Sequence, residues 1–212
     1  QKTAYEIRNC DWSSDVCSSD LVIGQDEAVQ CLVERVAIMK AGVSDPTRPI
    51  GVFLFAGPTG TGKTEIAKSL ATWLFGSPDR LIRIDMSELQ TVQSLDRLLG
   101  HPDNQETDAL TDQIRKQPFS IVLLDEFEKA HENVWDLFLQ VFDDGQLTDR
   151  RGRKASFHHA IIILTANLGA TIPTGLSIGF GGGPKRFDEQ EVHRAVEKSF
   201  RREFIKIGRA HV

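Results

Sequence analysis

Residues 51–66, which read GVFLFAGPTGTGKTEI, decide the fold of this chain. GVFLFA (51–56) is a short apolar run typical of a buried strand, and apolar residues then recur at helical spacing from Ile66 to Leu74. The residues between them, 57–64, match the pattern GxxxxGK[ST] in the strand, loop and helix context that the pattern requires. Glycines there let backbone N–H groups face a phosphate, and a helix N-terminus favours negative charge. We therefore expect a phosphate-binding loop.

Two pairs of residues supply the polar chemistry of a nucleoside triphosphate site. Lys63 is expected to reach the β and γ phosphates, and Thr64 to offer its hydroxyl to Mg²⁺. The apolar run 121–124 is followed by Asp125 and Glu126, at the carboxyl end of a predicted strand, where ligands of open α/β sheets bind. Asp125 is placed to hold Mg²⁺ through its water shell. Glu126 can then activate an attacking water as general base.

A third polar element, Asn167, follows the predicted strand 160–165. An amide at this position can orient the attacking water or sense the γ phosphate. The alternative is a loop asparagine that only satisfies neighbouring backbone groups.

The rest of the chain alternates between helical and strand patterns. Strands are predicted at 51–56, 81–85, 119–124 and 160–165, and helices at 26–41, 66–75, in a short segment ending at Gly100, at 107–117 before Pro118, around 134–142 and from Asp188 onward. Strands that are apolar throughout and separated by helices predict an α/β fold, with a parallel sheet covered by helices on both faces.

Composition excludes several classes of function. The chain has 212 residues and a formal net charge of −5, which argues against coating of a nucleic acid duplex. Its aliphatic runs, such as 161–164, are far shorter than the roughly 20 residues of a membrane span, so we expect no membrane partner. Outside residues 1–21 the only cysteine is Cys31. This excludes a disulfide framework and favours a reducing cytosol, hence a cytoplasmic protein.

The two chain ends are interpreted as non-native. Codons can be chosen for residues 15–20, DVCSSD, whose reverse complement encodes IGRAHV, the sequence of residues 207–212. Such complementary ends are typical of a sequencing adapter read at both edges of an insert. The predicted organisation is a non-native leader at 1–21, one ATPase large subdomain at 22–206 and a non-native tail at 207–212. A Ser/Asp-rich leader and a frayed tail are the alternative.

Between these ends the chain resembles the Clp-type AAA+ unfoldases, specifically their second ATPase module. The matching stretches, in family order, are VIGQDEAV, GPTGTGKTEIAKSLA, LIRIDMSE, IVLLDEFEKAH, LQVFDDGQLTDRRGR, IIILTANLGA and FRREFI. The resemblance implies an AAA+ P-loop NTPase core, ATP and Mg²⁺ as cofactors, a ring of identical subunits that is usually a hexamer, and mechanical work on protein substrates.

The same resemblance assigns roles to individual residues. Val22 and Ile23 would lie against adenine, Asp125 and Glu126 would form the Walker B pair, and Asn167 would be sensor 1. Lys63, Glu126 and Asn167 are the implied catalytic residues, with Thr64 and Asp125 serving Mg²⁺. The expected nucleotide contacts further include Gly57, Pro58, Thr59, Gly60, Thr61, Gly62, Lys63, Thr64 and Glu65.

Two departures from the family pattern bear on function, and a third, Arg202 in place of the proline typical of the family, has no obvious consequence for the site. Residues 101–109, HPDNQETDA, stand where the family has an aromatic-bearing loop that grips the threaded polypeptide, which puts threading in doubt. The family's arginine finger, fifth strand and helical lid follow FRREFI, and the sequence runs instead into IGRAHV. We therefore expect the fifth strand and the lid to be missing, and the chain alone to bind ATP with little turnover.

A basic cluster, Arg150, Arg151, Arg153 and Lys154, lies where the family places a second pore loop. It could steer an acidic polypeptide or contact a neighbouring subunit, or it could be a solvated hairpin tip.

Two main functions remain open. One is an ATP-hydrolysing motor module, which Glu126 favours because a pure binding module needs no water-activating carboxylate. The other is a nucleotide-binding scaffold or regulatory module, favoured by the missing aromatic in 101–109. A DNA-acting AAA+ protein is opposed by the acidic charge. Among motors, an ATPase that dismantles secretion sheaths cannot be separated from a disaggregase or a protease partner.

Overall fold

The computed structural model describes residues 45–57, 62–101, 108–168 and 189–201, together with Ala37, Phe204 and residues 209–211. The strands are β1 Gly51–Ala56, β2 Leu81–Asp85, β3 Ile121–Asp125, β4 Gln146–Thr148, β5 Lys154–Ser156, β6 Ile161–Ala166 and β7 Arg209–His211. The helices are α1 Lys63–Phe75, α2 Asp96–Leu99, α3 Leu110–Lys116, α4 Glu132–Asp144 and α5 Glu189–Ser199.

The central sheet is parallel and has the strand order β2-β3-β6-β1-β7. The predicted α/β fold class is thereby confirmed. Strand β3 lies between β2 and β6, so the polar residues that follow β3 and β6 meet at one edge. The remaining two strands, β4 and β5, form an antiparallel hairpin after α4.

Helices cover both faces of this sheet. Successive side chains of a strand point to opposite faces, so each strand contributes residues to both layers of the core. One face packs against α1 through the strand residues Phe53, Phe55, Ile121, Leu123, Ile161 and Ile163. The other face carries Leu54, Val122, Leu124, Ile162 and Leu164, which belong to one core cluster with residues of α3, α4 and α5. Burial on both faces explains why the strands are apolar throughout.

Local sequence sets the ends of the helices that flank the site. Helix α1 starts after Gly62 (φ 82°) and stops at Gly76 (φ 75°), two left-handed positions that glycine adopts without steric penalty. Helix α3 ends at Lys116, as predicted from Pro118. The other predicted strands and helices that fall on described residues are present, with ends shifted by a few residues.

The edge of the sheet beside β1 differs from the expectation. The fifth strand was expected to be missing, but residues 209–211 pair in parallel with Phe53–Phe55 of β1. An unpaired strand edge presents a row of backbone donors and acceptors, and any short extended segment within reach can satisfy them. Backbone pairing is independent of a segment's origin. The interpretation of residues 207–212 as non-native therefore stays a prediction.

Several predicted features lie outside the described residues. These are the leader 1–21, Val22 and Ile23, the helix 26–41 apart from the helical Ala37, Pro58 to Thr61, and residues 102–107. Within the described part of the chain, no helix combines the length and apolarity needed to cross a bilayer.

Candidate nucleotide site

The candidate site begins where β1 ends. The N–H of Gly57 donates to the carbonyl of Ala166 at 3.1 Å, which ties the first residue of the phosphate-loop motif to the end of β6. The Lys63 ammonium, at the start of α1, donates to the carbonyl of Gly57 at 2.9 Å. The two ends of the loop are therefore held together, and the lysine lies at the carboxyl edge of the sheet.

Lys63 faces a group of carboxylates. Its partial burial lowers the pKa of the ammonium, and the negative charges of Asp125, Glu128 and Glu126 oppose that shift. Taking a cation out of water disfavours its charged form, whereas nearby anions favour it. A triphosphate would add further negative charge to this environment and hold the lysine protonated.

The Asp125 carboxylate is held from both neighbouring strands. The hydroxyl of Thr165, on β6, donates to its Oδ1 at 2.5 Å. The guanidinium of Arg83, on β2, lies 2.6 Å from its Oδ2. These three residues lie on the sheet face that α1 covers. The carboxylate therefore has one orientation, toward the side of the sheet on which Lys63 lies.

Glu126 has an unusual backbone conformation. Its φ is 56°, the only positive φ among the described residues that are not glycine. Such a conformation costs about 1–2 kcal/mol and is found most often at functional sites. It is held by the hydroxyl of Thr165, which accepts the Glu126 N–H at 3.1 Å. The next residue, Phe127, is fully buried and anchors the turn.

Both side-chain oxygens of Glu126 have partners. The amide of Asn167 donates to Oε1 at 2.7 Å, and the ammonium of Lys129 lies 2.5 Å from Oε2. The contact with Glu126 raises the pKa of Lys129, mainly through this hydrogen bond. The structure thus brings together Asp125, Glu126 and Asn167, which the sequence analysis selected independently.

Glu128 completes the carboxylate group. Its Oε1 accepts the backbone N–H of Asn167 at 3.0 Å, which positions the asparagine. Its Oε2 is buried and has no hydrogen-bond partner among the described residues. A buried oxygen of this kind is normally satisfied by water or an ion.

The donor set fits a magnesium nucleotide. The carboxylate of Asp125 and the hydroxyl of Thr64 are oxygen ligands of the kind that Mg²⁺ prefers, and the orphaned oxygen of Glu128 indicates a place for an ordered water. Thr64 is partly buried at the start of α1. Glu65 is exposed, with Lys68 at 3.3 Å as its partner.

Four residues of the site were missed or only partly recognised in the sequence. Thr165 was only the last residue of the predicted strand 160–165, and Arg83, Glu128 and Lys129 were given no role. A period-2 pattern, with Arg83 and Asp85 on one face of β2 and Ile82 and Ile84 on the other, would have indicated Arg83. The contacts of Glu128 and Lys129 depend on the turn after Glu126, and no sequence pattern indicates them.

The basic cluster of the β4–β5 hairpin is largely engaged within the domain. Arg150 lies 2.6 Å from the carboxylate of Asp96, Arg151 donates to a backbone carbonyl at 3.3 Å, and Arg153 donates to Asp149 at 2.8 Å. Lys154 at the start of β5 is exposed. These contacts favour a docked hairpin over a freely solvated tip.

A phosphate-loop motif after β1, an Asp-Glu pair at the end of β3 and a polar residue after β6 are typical of a P-loop NTPase. Sequence comparison gives the family: residues 48–210 match the family described as "AAA domain (Cdc48 subfamily)", and the chain belongs to it.

The relatives place the chain among Clp-type AAA+ ATPase modules. It is 44% identical over 193 residues to the ATP-dependent Clp protease ATP-binding subunit ClpC of Staphylococcus epidermidis, covering 87% of this chain and 24% of that protein. It is 45% identical over 188 residues to the chaperone protein ClpB of Vibrio cholerae, covering 87% and 22%. For the chloroplastic ClpB2 of Oryza sativa, the identity is 43% over 190 residues, covering 87% and 19%. The chain thus spans less than a quarter of the length of these relatives.

Proposed function

We propose that this chain binds ATP with Mg²⁺ at the carboxyl edge of its sheet and hydrolyses it, as one subunit of a ring that remodels other proteins. The observation that carries the proposal is the convergence of Lys63, Asp125, Glu126 and Asn167 at one edge. Thr165 links Asp125 to Glu126 there. The residue roles follow from that arrangement and from the chemistry of each group.

Binding rests on the phosphate loop and Lys63. We expect the backbone N–H groups of the loop after Pro58 to bind the phosphates, and Lys63 to exchange its contact with the Gly57 carbonyl for the β and γ phosphates. Thr64 and Asp125 would hold Mg²⁺, which supplies positive charge that neutralises phosphate oxygens when it is bound.

Hydrolysis rests on Glu126. Asn167 fixes its Oε1 at 2.7 Å, so the carboxylate cannot swing away from the site. Lys129 is exposed, and its departure from Oε2 leaves that oxygen able to accept a proton from the attacking water. The strained turn at Glu126 presents this carboxylate beyond the end of β3.

The larger assembly is inferred from the relatives. Their names describe a chaperone and the ATP-binding subunit of an ATP-dependent protease. We infer that identical subunits form a ring, of six in this family, and that the work of ATP turnover is done on a protein substrate. Threading of that substrate is less supported, because residues 101–109 contain no Tyr, Trp or Phe.

The experiment separates a motor from a nucleotide-binding scaffold. ATP binding and single-turnover hydrolysis are measured on the full chain, on Glu126→Gln and on Glu132→Gln. Glu132 is an exposed carboxylate whose partner is Arg201, so it serves as the control for the loss of one charge. Loss of the general base should slow hydrolysis by about 10²–10⁴-fold and leave ATP binding intact.

Each outcome has a distinct meaning. Equal hydrolysis by the wild type and Glu126→Gln contradicts the role given to this carboxylate. Little turnover is expected of the chain alone, so the scaffold function is supported instead only if bound ATP is hydrolysed no faster than ATP in buffer. Failure of the wild type to bind ATP contradicts the proposal as a whole.

A further inference from the structure

Arg83 is the residue of the site for which the function above gives no use. It lies on β2, and its guanidinium is 2.6 Å from Oδ2 of Asp125. The arginine side chain is 53% exposed, whereas that of Asp125 is 14% exposed. A largely solvated cation is therefore in direct contact with a mostly buried carboxylate.

Arg83 contacts one of the two oxygens through which Asp125 could hold the water shell of a metal. Asp125 has two carboxylate oxygens, and Thr165 donates to the other one, Oδ1. A water bound to Mg²⁺ reaches a carboxylate by donating a hydrogen bond, which is what the guanidinium already does at Oδ2. Each carboxylate oxygen can accept about two hydrogen bonds, so the guanidinium takes one of the few acceptor positions of Asp125 that a hydrated metal could use.

We propose that Arg83 is a built-in counter-cation of Asp125 that competes with Mg²⁺ and sets the Mg²⁺ concentration at which the nucleotide site fills. This inference rests on the proposed function, since it assigns Asp125 to Mg²⁺. A cation beside a divalent metal site opposes the metal by charge repulsion, in addition to occupying the shared oxygen.

Arg83 could instead help Mg²⁺ by orienting the carboxylate, so the two effects have to be weighed. Thr165 is 1% exposed and holds Oδ1 at 2.5 Å independently of the arginine. Asp125 therefore keeps its orientation when Arg83 is removed. An ion pair with a half-exposed arginine adds little to that orientation. The competing effect is consequently the larger one.

The surroundings of Arg83 offer its guanidinium other partners. The side chain lines a cleft of about 410 Å³ that also includes the acidic residues Asp85, Glu88, Asp96 and Asp108. A guanidinium displaced from Asp125 therefore stays near negative charge. This lowers the free energy of exchanging it for a hydrated metal.

The test is a Mg²⁺ titration of the affinity for a fluorescent ATP analogue, on the full chain and three variants. Arg83→Gln removes the charge, and Arg83→Lys keeps it. Arg97→Gln removes an exposed arginine that lines the same cleft and pairs with Glu88 rather than with Asp125. Affinity is also measured in EDTA, which reports the nucleotide contacts that need no metal.

Arg83→Gln should lower the half-saturating free Mg²⁺ concentration by about three- to tenfold, from the repulsion of two cations in a solvated site. Arg83→Lys and Arg97→Gln should stay within about twofold of the wild type, and the affinity in EDTA should be unchanged in all variants. An unchanged or raised Mg²⁺ requirement in Arg83→Gln overturns the inference. So does weaker binding of that variant in EDTA, because Arg83 would then contact the nucleotide itself.

Failure of the inference is distinguishable from failure of the proposed function. If the wild type binds the analogue in a Mg²⁺-dependent way and Arg83→Gln does not differ from it, only the inference fails. If the wild type binds no nucleotide at any Mg²⁺ concentration, both fail together.

Discussion

Thr165 is the residue on which the geometry of the site depends most, and its hydroxyl can be removed with little change of shape. Thr165→Val replaces a hydroxyl by a methyl group at a position that is 1% exposed. The substitution deletes the donor to Asp125 Oδ1, at 2.5 Å, and the acceptor of the Glu126 N–H, at 3.1 Å. Both groups are left without this partner, and the second belongs to a strained residue.

The expected loss of stability follows from those two contacts. A hydrogen bond to a charged group contributes about 1.5–3 kcal/mol to the free energy of unfolding, and a neutral one about 1 kcal/mol. The extra buried methyl group of valine stabilises the fold by about 1 kcal/mol and offsets part of that loss. We therefore expect Thr165→Val to lower the free energy of unfolding by about 2 kcal/mol. With a urea dependence of about 2 kcal/mol per molar, the unfolding midpoint falls by about 1 M.

A double-mutant cycle assigns this loss to the proposed contact. Thr165→Val and Asp125→Ala are measured singly and together by urea denaturation, and a coupling energy of about 1–2 kcal/mol is expected. Thr165→Val combined with Asp149→Asn is the control cycle, because no hydrogen bond joins those two described residues. Additivity of Thr165→Val and Asp125→Ala within about 0.5 kcal/mol would refute the bridging role of Thr165.

Two further predictions concern stability. Gly145→Ala should lower the free energy of unfolding by about 2–4 kcal/mol in urea denaturation, because the residue has φ 60° and a Cβ would lie 2.4 Å from the backbone oxygen of Thr47. Asp149→Asn should lower it by about 2 kcal/mol at pH 7, because the carboxylate is almost fully buried and accepts several hydrogen bonds. Burial alone would raise the pKa of Asp149, but hydrogen bonds from the backbone of Arg153 and Arg151, together with the side chain of Arg153, outweigh burial and lower it.

The controls for these predictions use the same measurement. Gly76 has a similar φ of 75° with open space around a Cβ, so Gly76→Ala should lower stability by only about 1 kcal/mol. Equal losses at Gly76 and Gly145 would show that the clash is absent. For Asp149, a lowered pKa means that the stabilisation is present above about pH 4 and is lost as the pH falls through the lowered value. A difference between wild type and Asp149→Asn that grows in acid contradicts this sign.

The sequence predicts the sheet and its phosphate loop because both depend on local patterns. An apolar strand, a glycine-rich turn and a helical repeat follow one another in residues 51–75, and the same logic places carboxylates after β3. The contacts of Arg83 and Thr165 could not be predicted in this way. These contacts join side chains of β2, β3 and β6, which are far apart in the chain. Whether the side chains come within hydrogen-bond distance depends on the order and register of the strands.

The fifth strand shows a different limit of sequence reasoning. Residues 209–211 carry no apolar strand pattern. The family has a fifth strand after FRREFI, and the strand was expected to be missing here because residues 207–212 depart from the family pattern. The structure nevertheless pairs them with β1, because the pairing uses backbone groups that every residue except proline provides. Side-chain patterns alone do not reveal such a partner.

The central claim is that Lys63 and the loop before it bind the phosphates of ATP, and one titration tests it most directly. The dissociation constant of a fluorescent ATP analogue is measured for the full chain, for Lys63→Ala and for Lys68→Ala. Lys68 is an exposed lysine of the same helix that pairs with Glu65. Loss of a charge-assisted contact should weaken binding by Lys63→Ala about 10- to 100-fold, with Lys68→Ala close to the wild type. Equal affinities of Lys63→Ala and the wild type would contradict the account.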